Sequence, residues 1–133
     1  MLQELINRLQ LQPHPEGGFY SERHRSPGVV TRADGAVRSA LTLIDFVLPA
    51  GVTSHWHRVH HSDETWHYAA GAPLELLRQQ DDGPIERLIV SQESSWQLIP
   101  AGWWQSARSL GDYTHVQCCV APGFDFLDFE MRS

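Results

Sequence analysis

Leu2, Leu5, Ile6 and Leu9 fall at the i, i+3, i+4, i+7 spacing of one helix face, and Pro13 and Pro15 close that segment. From about Tyr20 onward the period shortens to that of strands. Short apolar or alternating runs occur at 39–48, 65–70, 74–78, 85–90, 96–99, 113–121 and 124–130. Between them lie Pro49-Ala50-Gly51, Gly71-Ala72-Pro73, Asp82-Gly83-Pro84, Pro100-Ala101-Gly102, Leu110-Gly111-Asp112 and Pro122-Gly123, all suited to reversing the chain. Many short strands with even punctuation predict an all-β sandwich or barrel preceded by one short helix. With no solenoid-period repeat and no linker-like shift in composition, a single domain is expected over 1–133. Its helix falls within 1–12 and its β-barrel within 13–133.

The chain has 133 residues, 41% hydrophobic and 20% charged, which is enough to bury one core. Arginine supplies all 10 positive charges against 16 carboxylates, and lysine is absent. That excludes Schiff-base chemistry on a lysine and a Walker-type phosphate loop. The arginines are scattered singly between Arg8 and Arg132 and the net charge is −6, so nucleic acid is not an expected partner. No apolar run is long enough to span a bilayer, and Glu4 interrupts what would be a secretory leader, which points to the cytoplasm. Cys118 and Cys119 are neighbours on an extended segment, face opposite ways and read as small apolar side chains in a reducing compartment.

Five of the eight histidines lie between His55 and His67, with Asp63 and Glu64 among them. On a regular strand His55 and His57 leave the same face, and a hairpin through 58–63 returns Glu64 beside them. Imidazoles with one carboxylate suit a divalent cation such as Zn, Fe, Ni or Mn. Without metal they form an acid/base pair near neutral pH. His60, His61 and His67 read as turn or strand residues, whereas His57 and Glu64 flank a tight turn beside Trp56, Trp66 and Tyr68, which suit a pocket wall. In HPEGGFY, Gly17-Gly18 suits a tight turn, and Glu16, Tyr20 and Arg23 bring a carboxylate, a phenol and a bidentate donor together. Trp103 and Trp104 are expected to split, one toward pocket or core and one outward. The sequence contains no HExxH, GxSxG, GxGxxG or paired CxxC.

Gly51 to Gly71, with its HxH pair, Glu64 and closing glycine, resembles the first cupin motif, and Pro100-Ala101-Gly102-Trp103-Trp104-Gln105 resembles the second. The blocks at 14–26, 57–71, 99–116 and 120–131 are similar to a small cupin family of unknown function. The resemblance implies a cupin double-stranded β-helix, a jelly-roll barrel, with a small-molecule site inside and pairing as a homodimer. It places His57, Glu64 and Gln105 at the pocket, with His55 and His60 as competing first-motif histidines. Six residues separate His57 from Glu64, and Gln105 stands where the second motif has a histidine. A metal set of His55, His57, Glu64 and Gln105 is therefore incomplete by the family's pattern, and a protein without a tightly held metal is expected. His115 is read as an ordinary strand histidine.

Three functions remain open at this level. The first resembles the sugar-nucleotide epimerases of the superfamily: His57 moves a proton, Glu64 orients it, and Tyr20 or Tyr68 is the opposing acid. Arg23 or Arg58 holds an anionic group, and Glu16, Trp66, Trp103 and Gln105 contact substrate. The second is a metal-dependent dioxygenase or isomerase. The third is a sensing module that binds a metabolite without turnover.

Overall fold

The computed structural model describes residues 2–132, so the ends of the expected domain, Met1 and Ser133, lie outside the described residues. Strands dominate it. One antiparallel sheet of six has the order β1 (Gln12–Pro13), β2 (Phe19–Arg25), β5 (Thr42–Pro49), β12 (Tyr113–Ala121), β7 (Asp63–Gly71), β10 (Trp96–Ile99). A facing sheet of five has the order β13 (Phe129–Met131), β6 (Thr53–Val59), β11 (Trp104–Ser109), β8 (Leu74–Gln79), β9 (Glu86–Val90). β3 (Val29–Thr31) and β4 (Val37–Ser39) make a separate hairpin. The two sheets form the expected jelly roll. Phe46, Leu48, Trp66 and Val116 of the first sheet meet Leu74, Leu76, Val90 and Ala107 of the second in one apolar cluster. Burying each such large side chain contributes about 1.5–3 kcal/mol.

The helix α1 (Leu2–Leu9) is shorter than the 1–12 segment expected, and the prolines do not end it. Gln10 adopts φ +54°, the Leu11 amide donates to the Ile6 carbonyl at 3.0 Å and the Gln10 amide to that of Asn7 at 3.3 Å. This is a Schellman ending, which satisfies the last carbonyls locally before Pro13 is reached. Leu5, the buried residue of the helix, packs with Leu11 on Val47, and Phe19 and Tyr113 flank them. Val47 faces away from the barrel interior that holds Phe46 and Leu48, so α1 covers the outside of β5 and makes it a strand buried on both faces. Among the described residues no helix is long and apolar enough to cross a membrane.

Two β-bulges decide which side chains face inward. Across β11 and β6, Gln105 pairs with His57 but Ala107 with Ser54, so β6 carries one extra residue. His57 and Ser54 are buried while His55 is exposed, and the shared face expected for His55 and His57 is corrected by that extra residue. In β2, Glu22 pairs with Ile44 and His24 with Leu43, which places the extra residue at Arg23. The inward series therefore runs Tyr20, Glu22, Arg25 and omits both Arg23 and His24.

The run 124–130 is not one strand. Asp125 caps a single turn of 3-10 helix at Phe126–Asp128, its carboxylate accepting the Leu127 amide at 2.9 Å, and β13 follows. The short acidic side chain offers the backbone a local partner that competes with a sheet ladder. The buried Asp128 carboxylate takes Arg38 of the hairpin at 2.8 and 3.2 Å and Arg32 at 3.0 Å, pinning this turn in place.

Candidate functional site

Between the sheets lies a cavity of about 470 Å³. The titratable groups His14, Glu16, His57, Glu64 and Cys118 line it, with an aromatic wall of Tyr20, Phe124, Phe126 and Phe129. His57 comes from the five-stranded sheet, Tyr20, Glu64 and Cys118 from the six-stranded one, and His14 and Glu16 from the tight turn before β2. That turn needs its glycines. Gly17 and Gly18 have φ +105° and +79°, and a Cβ on Gly18 would sit 2.8 Å from the Val47 carbonyl oxygen. The bulge in β6 docks it, because the His55 amide donates to the Glu16 carbonyl at 2.7 Å.

The hydrogen bonds fix where protons sit. His57 Nδ1 is 2.7 Å from the His55 carbonyl oxygen, which can only accept, so Nδ1 carries a hydrogen. His57 Nε2 lies 3.3 Å from Glu16 Oε2. Ser54 donates to that same oxygen at 2.8 Å. With its hydrogen on Nδ1, the neutral ring turns the lone pair of Nε2 toward Glu16 and the cavity. His14 Nδ1 accepts the Glu16 amide at 3.1 Å, so it has no hydrogen to offer the Glu16 oxygen 3.3 Å away.

Glu64 is held by a buried relay. Trp66 Nε1, a donor only, gives its hydrogen to Gln105 Oε1 at 2.9 Å, which turns the Gln105 amide nitrogen toward Glu64 Oε1, also at 2.9 Å. Burial pushes the Glu64 carboxyl up to about 7, opposed by the charge of His57. Burial pushes Glu16 up to about 8 despite the Ser54 hydroxyl. Burial, and the neighbouring His57, take His14 down to about 4, and burial also lowers His57. The acids are thus held toward their protonated forms and the imidazoles toward their neutral forms, the condition for exchanging protons near neutrality.

Of the residues singled out in the sequence, the fold brings Glu16, Tyr20, His57 and Glu64 to the cavity, with Gln105 and Trp66 buried behind as the Glu64 relay. The others lie elsewhere. Arg23 pairs with Asp45 and donates to the Leu9 carbonyl, tying down the end of α1. Arg58 pairs with Glu130 at 2.8 Å with its guanidinium 4.3 Å from the Trp104 ring centre, and His60 shares Glu130. Tyr68 donates to the Gly71 carbonyl at 2.6 Å beside a separate small hollow. Trp103 packs against the interior apolar cluster, near Arg78. His115 bonds Asp45 at 2.8 Å. The sequence reading passed over His14, Arg25 and the three phenylalanines, and took Cys118 for a small apolar side chain with no part in the site. The signal for the last was the spacing F-x-F-x-x-F at 124–129, in a stretch read as a plain strand.

A divalent metal would need several of these donors to converge. His57 has the prepared form, with Nδ1–H on a carbonyl and Nε2 turned inward. The expected set does not assemble, since His55 is exposed and Gln105 spends its oxygen on Trp66. Among the described residues no group of three or more His, Cys, Asp or Glu side chains is arranged to hold a metal ion.

A family model described as "Cupin superfamily (DUF985)" matches residues 3–132. A hypothetical protein from Leishmania major is 35% identical, with a TM-score of 0.91 over 98% of this chain and 86% of that one. A protein from Shewanella oneidensis is 31% identical, with a TM-score of 0.88 over 98% of this chain and 84% of the other. The capsular polysaccharide assembling protein CapF from Staphylococcus aureus, 17% identical with a TM-score of 0.69 over 91% of this chain and 33% of its own, shares the fold. No curated protein matches the chain. The jelly roll, the interior site and the match across nearly the whole length agree: the chain belongs to the cupin superfamily, in the family designated DUF985.

Proposed function

We propose that the cavity binds a small polar molecule and moves protons on it, as an isomerase or epimerase of sugar-like substrates does. The observation that carries this is His57 with Nδ1 fixed on a carbonyl and Nε2 turned inward 3.3 Å from Glu16, beside a second buried carboxyl whose ionisation falls near neutrality. A carbon acid α to a carbonyl would give its proton to His57 Nε2 while the protonated Glu64 donates to the developing enolate oxygen. Tyr20, on the opposite sheet, supplies the hydroxyl that returns a proton from the other side; the enol proton goes back to Glu64 as the carbonyl re-forms, and the proton gained by His57 and lost by Tyr20 is exchanged with solvent before the next turnover. Two unlike proton carriers on facing walls are what inversion at carbon requires, and each correctly placed one contributes about 10²–10⁴-fold.

Glu16 serves as a positioning group. The Ser54 hydroxyl on Oε2 and the turn at Gly17 and Gly18 fix the carboxyl beside His57 Nε2. The roles expected for Arg23, Arg58 and Tyr68 are not part of this reading, because each is committed to another contact.

The test is incubation of aldoses, ketoses, uronates and amino sugars with the protein in deuterium oxide, followed by proton NMR. Loss of a carbon-bound proton signal next to a carbonyl, abolished in His57→Asn, is the expected result. Binding seen by calorimetry with no exchange on any of them would make the protein a binding module instead.

A further inference from the structure

The charges facing the cavity are lopsided. Four carboxyl side chains line it, Glu16, Glu22, Glu64 and Asp125, against one guanidinium, Arg25. Arg25 is already taken: Glu22 accepts from its Nη2 at 2.6 Å and from its Nε at 3.2 Å, and Asp125 adds to the negative field on it. The two arginines that could have held an anionic substrate group, Arg23 and Arg58, are bound to Asp45 and Glu130 outside the cavity. A phosphate, diphosphate or carboxylate entering here would meet acids and no free cation, at a cost that grows as the site loses water.

The opposite ligand charge is matched twice. Glu16 and Glu64 are both buried and neither touches a basic side chain other than an imidazole, so burial alone holds them toward the neutral acid, and an ammonium seated there would supply the counter-charge that lets a carboxyl release its proton to solvent. Beside them stand Tyr20, Phe124, Phe126 and Phe129, aromatic rings that attract a cation and cover an apolar body. Phe124, Phe126 and Phe129 pack edge to face with centres 4.8 to 6.0 Å apart. We propose that the cavity is a receptor for a small organic cation, its ammonium group seated between Glu16 and Glu64 and its body against the aromatic wall. This rests on the interior small-molecule site of the preceding subsection and narrows its ligand to amine-bearing molecules, excluding phosphorylated and uronic ones.

Three probes of one shape and different charge test it: benzylammonium, benzyl alcohol and benzoate, titrated into the full chain by calorimetry at neutral pH with a chelator present. The expected result is that benzylammonium binds at least about tenfold more tightly than the alcohol and that benzoate gives no heat. Glu64→Gln and Glu16→Gln should each remove most of the ammonium's advantage over the alcohol. The ranking within the unmodified protein stands by itself if a variant fails to fold. Equal binding of the ammonium and the alcohol, preference for benzoate, or no binding of the ammonium at millimolar concentration overturns the proposal. The deuterium-exchange assay is independent of this ranking: exchange on neutral sugars with no preference for ammonium would sink the cation receptor and leave the acid/base site standing.

Discussion

His57 is held on one side by a carbonyl that demands a hydrogen and on the other faces a carboxyl 3.3 Å away, and this arrangement is the smallest unit of the proposed chemistry. Replacing it with asparagine keeps a polar side chain of smaller size and removes the proton carrier. Exchange should fall by roughly 10²–10⁴-fold, measured as the rate of deuterium incorporation with fold checked by circular dichroism. Ser54→Ala acts through Glu16: losing the hydroxyl's donation moves the carboxyl further above about 8, read from the shift of its carboxyl carbon in an NMR titration. The density of histidines beside Glu64 made His57 and Glu64 legible in the sequence, and the HPEGG turn made Glu16 so. His14 was hidden because its role is to accept a neighbouring amide, a contact that no spacing announces. Arg23 and Arg25 look equivalent in sequence, and only the bulge in β2 decides which one faces the cavity.

At the scale of elements, alternation and turn chemistry gave the strands and the sheet class, while the irregularities came from local hydrogen bonds that binary patterning does not see. The extra residue in β6 turns His55 outward and frees its amide to dock the Glu16 turn, so a departure from strand periodicity builds the site. The same holds for α1, whose end is set by Gln10 in the left-handed region rather than by the prolines downstream. Glycine adopts that conformation without the side-chain penalty. Gln10→Gly should stabilise the fold by about 0.5–1 kcal/mol, seen as a higher urea midpoint with an unchanged slope. Leu5→Ala, which empties the contact between α1 and Val47, should cost roughly 2–4 kcal/mol in the same measurement. Gly71→Ala should be more disruptive than its exposed position suggests, because φ is +87° and the new Cβ would meet the Tyr113 carbonyl oxygen at 2.5 Å.

For the whole molecule, the buried acids and imidazoles tie stability to pH. Glu16 and Glu64 rise from an ordinary 4.5 to about 8 and about 7, so between those values the folded state binds protons that the unfolded chain has released. Their contribution is complete below about 4.5 and is lost as pH climbs toward 8. His14 falls from 6.5 to about 4, so the unfolded chain takes up a proton first on acidification and stability drops through that window. The melting temperature should therefore peak in the mildly acidic range, and Glu16→Gln should flatten its decline toward pH 8. The central claim is that two carboxyls inside the barrel titrate near neutrality, Glu16 at 3.3 Å from His57 and Glu64 held by Gln105. Carbon-detected NMR of the glutamate carboxyls across pH, comparing the unmodified chain with Glu16→Gln and Glu64→Gln, tests it most directly. The account predicts two coupled signals with apparent midpoints near 8 and near 7, one missing in each variant. Every glutamate titrating at its ordinary value near 4.5 would contradict it.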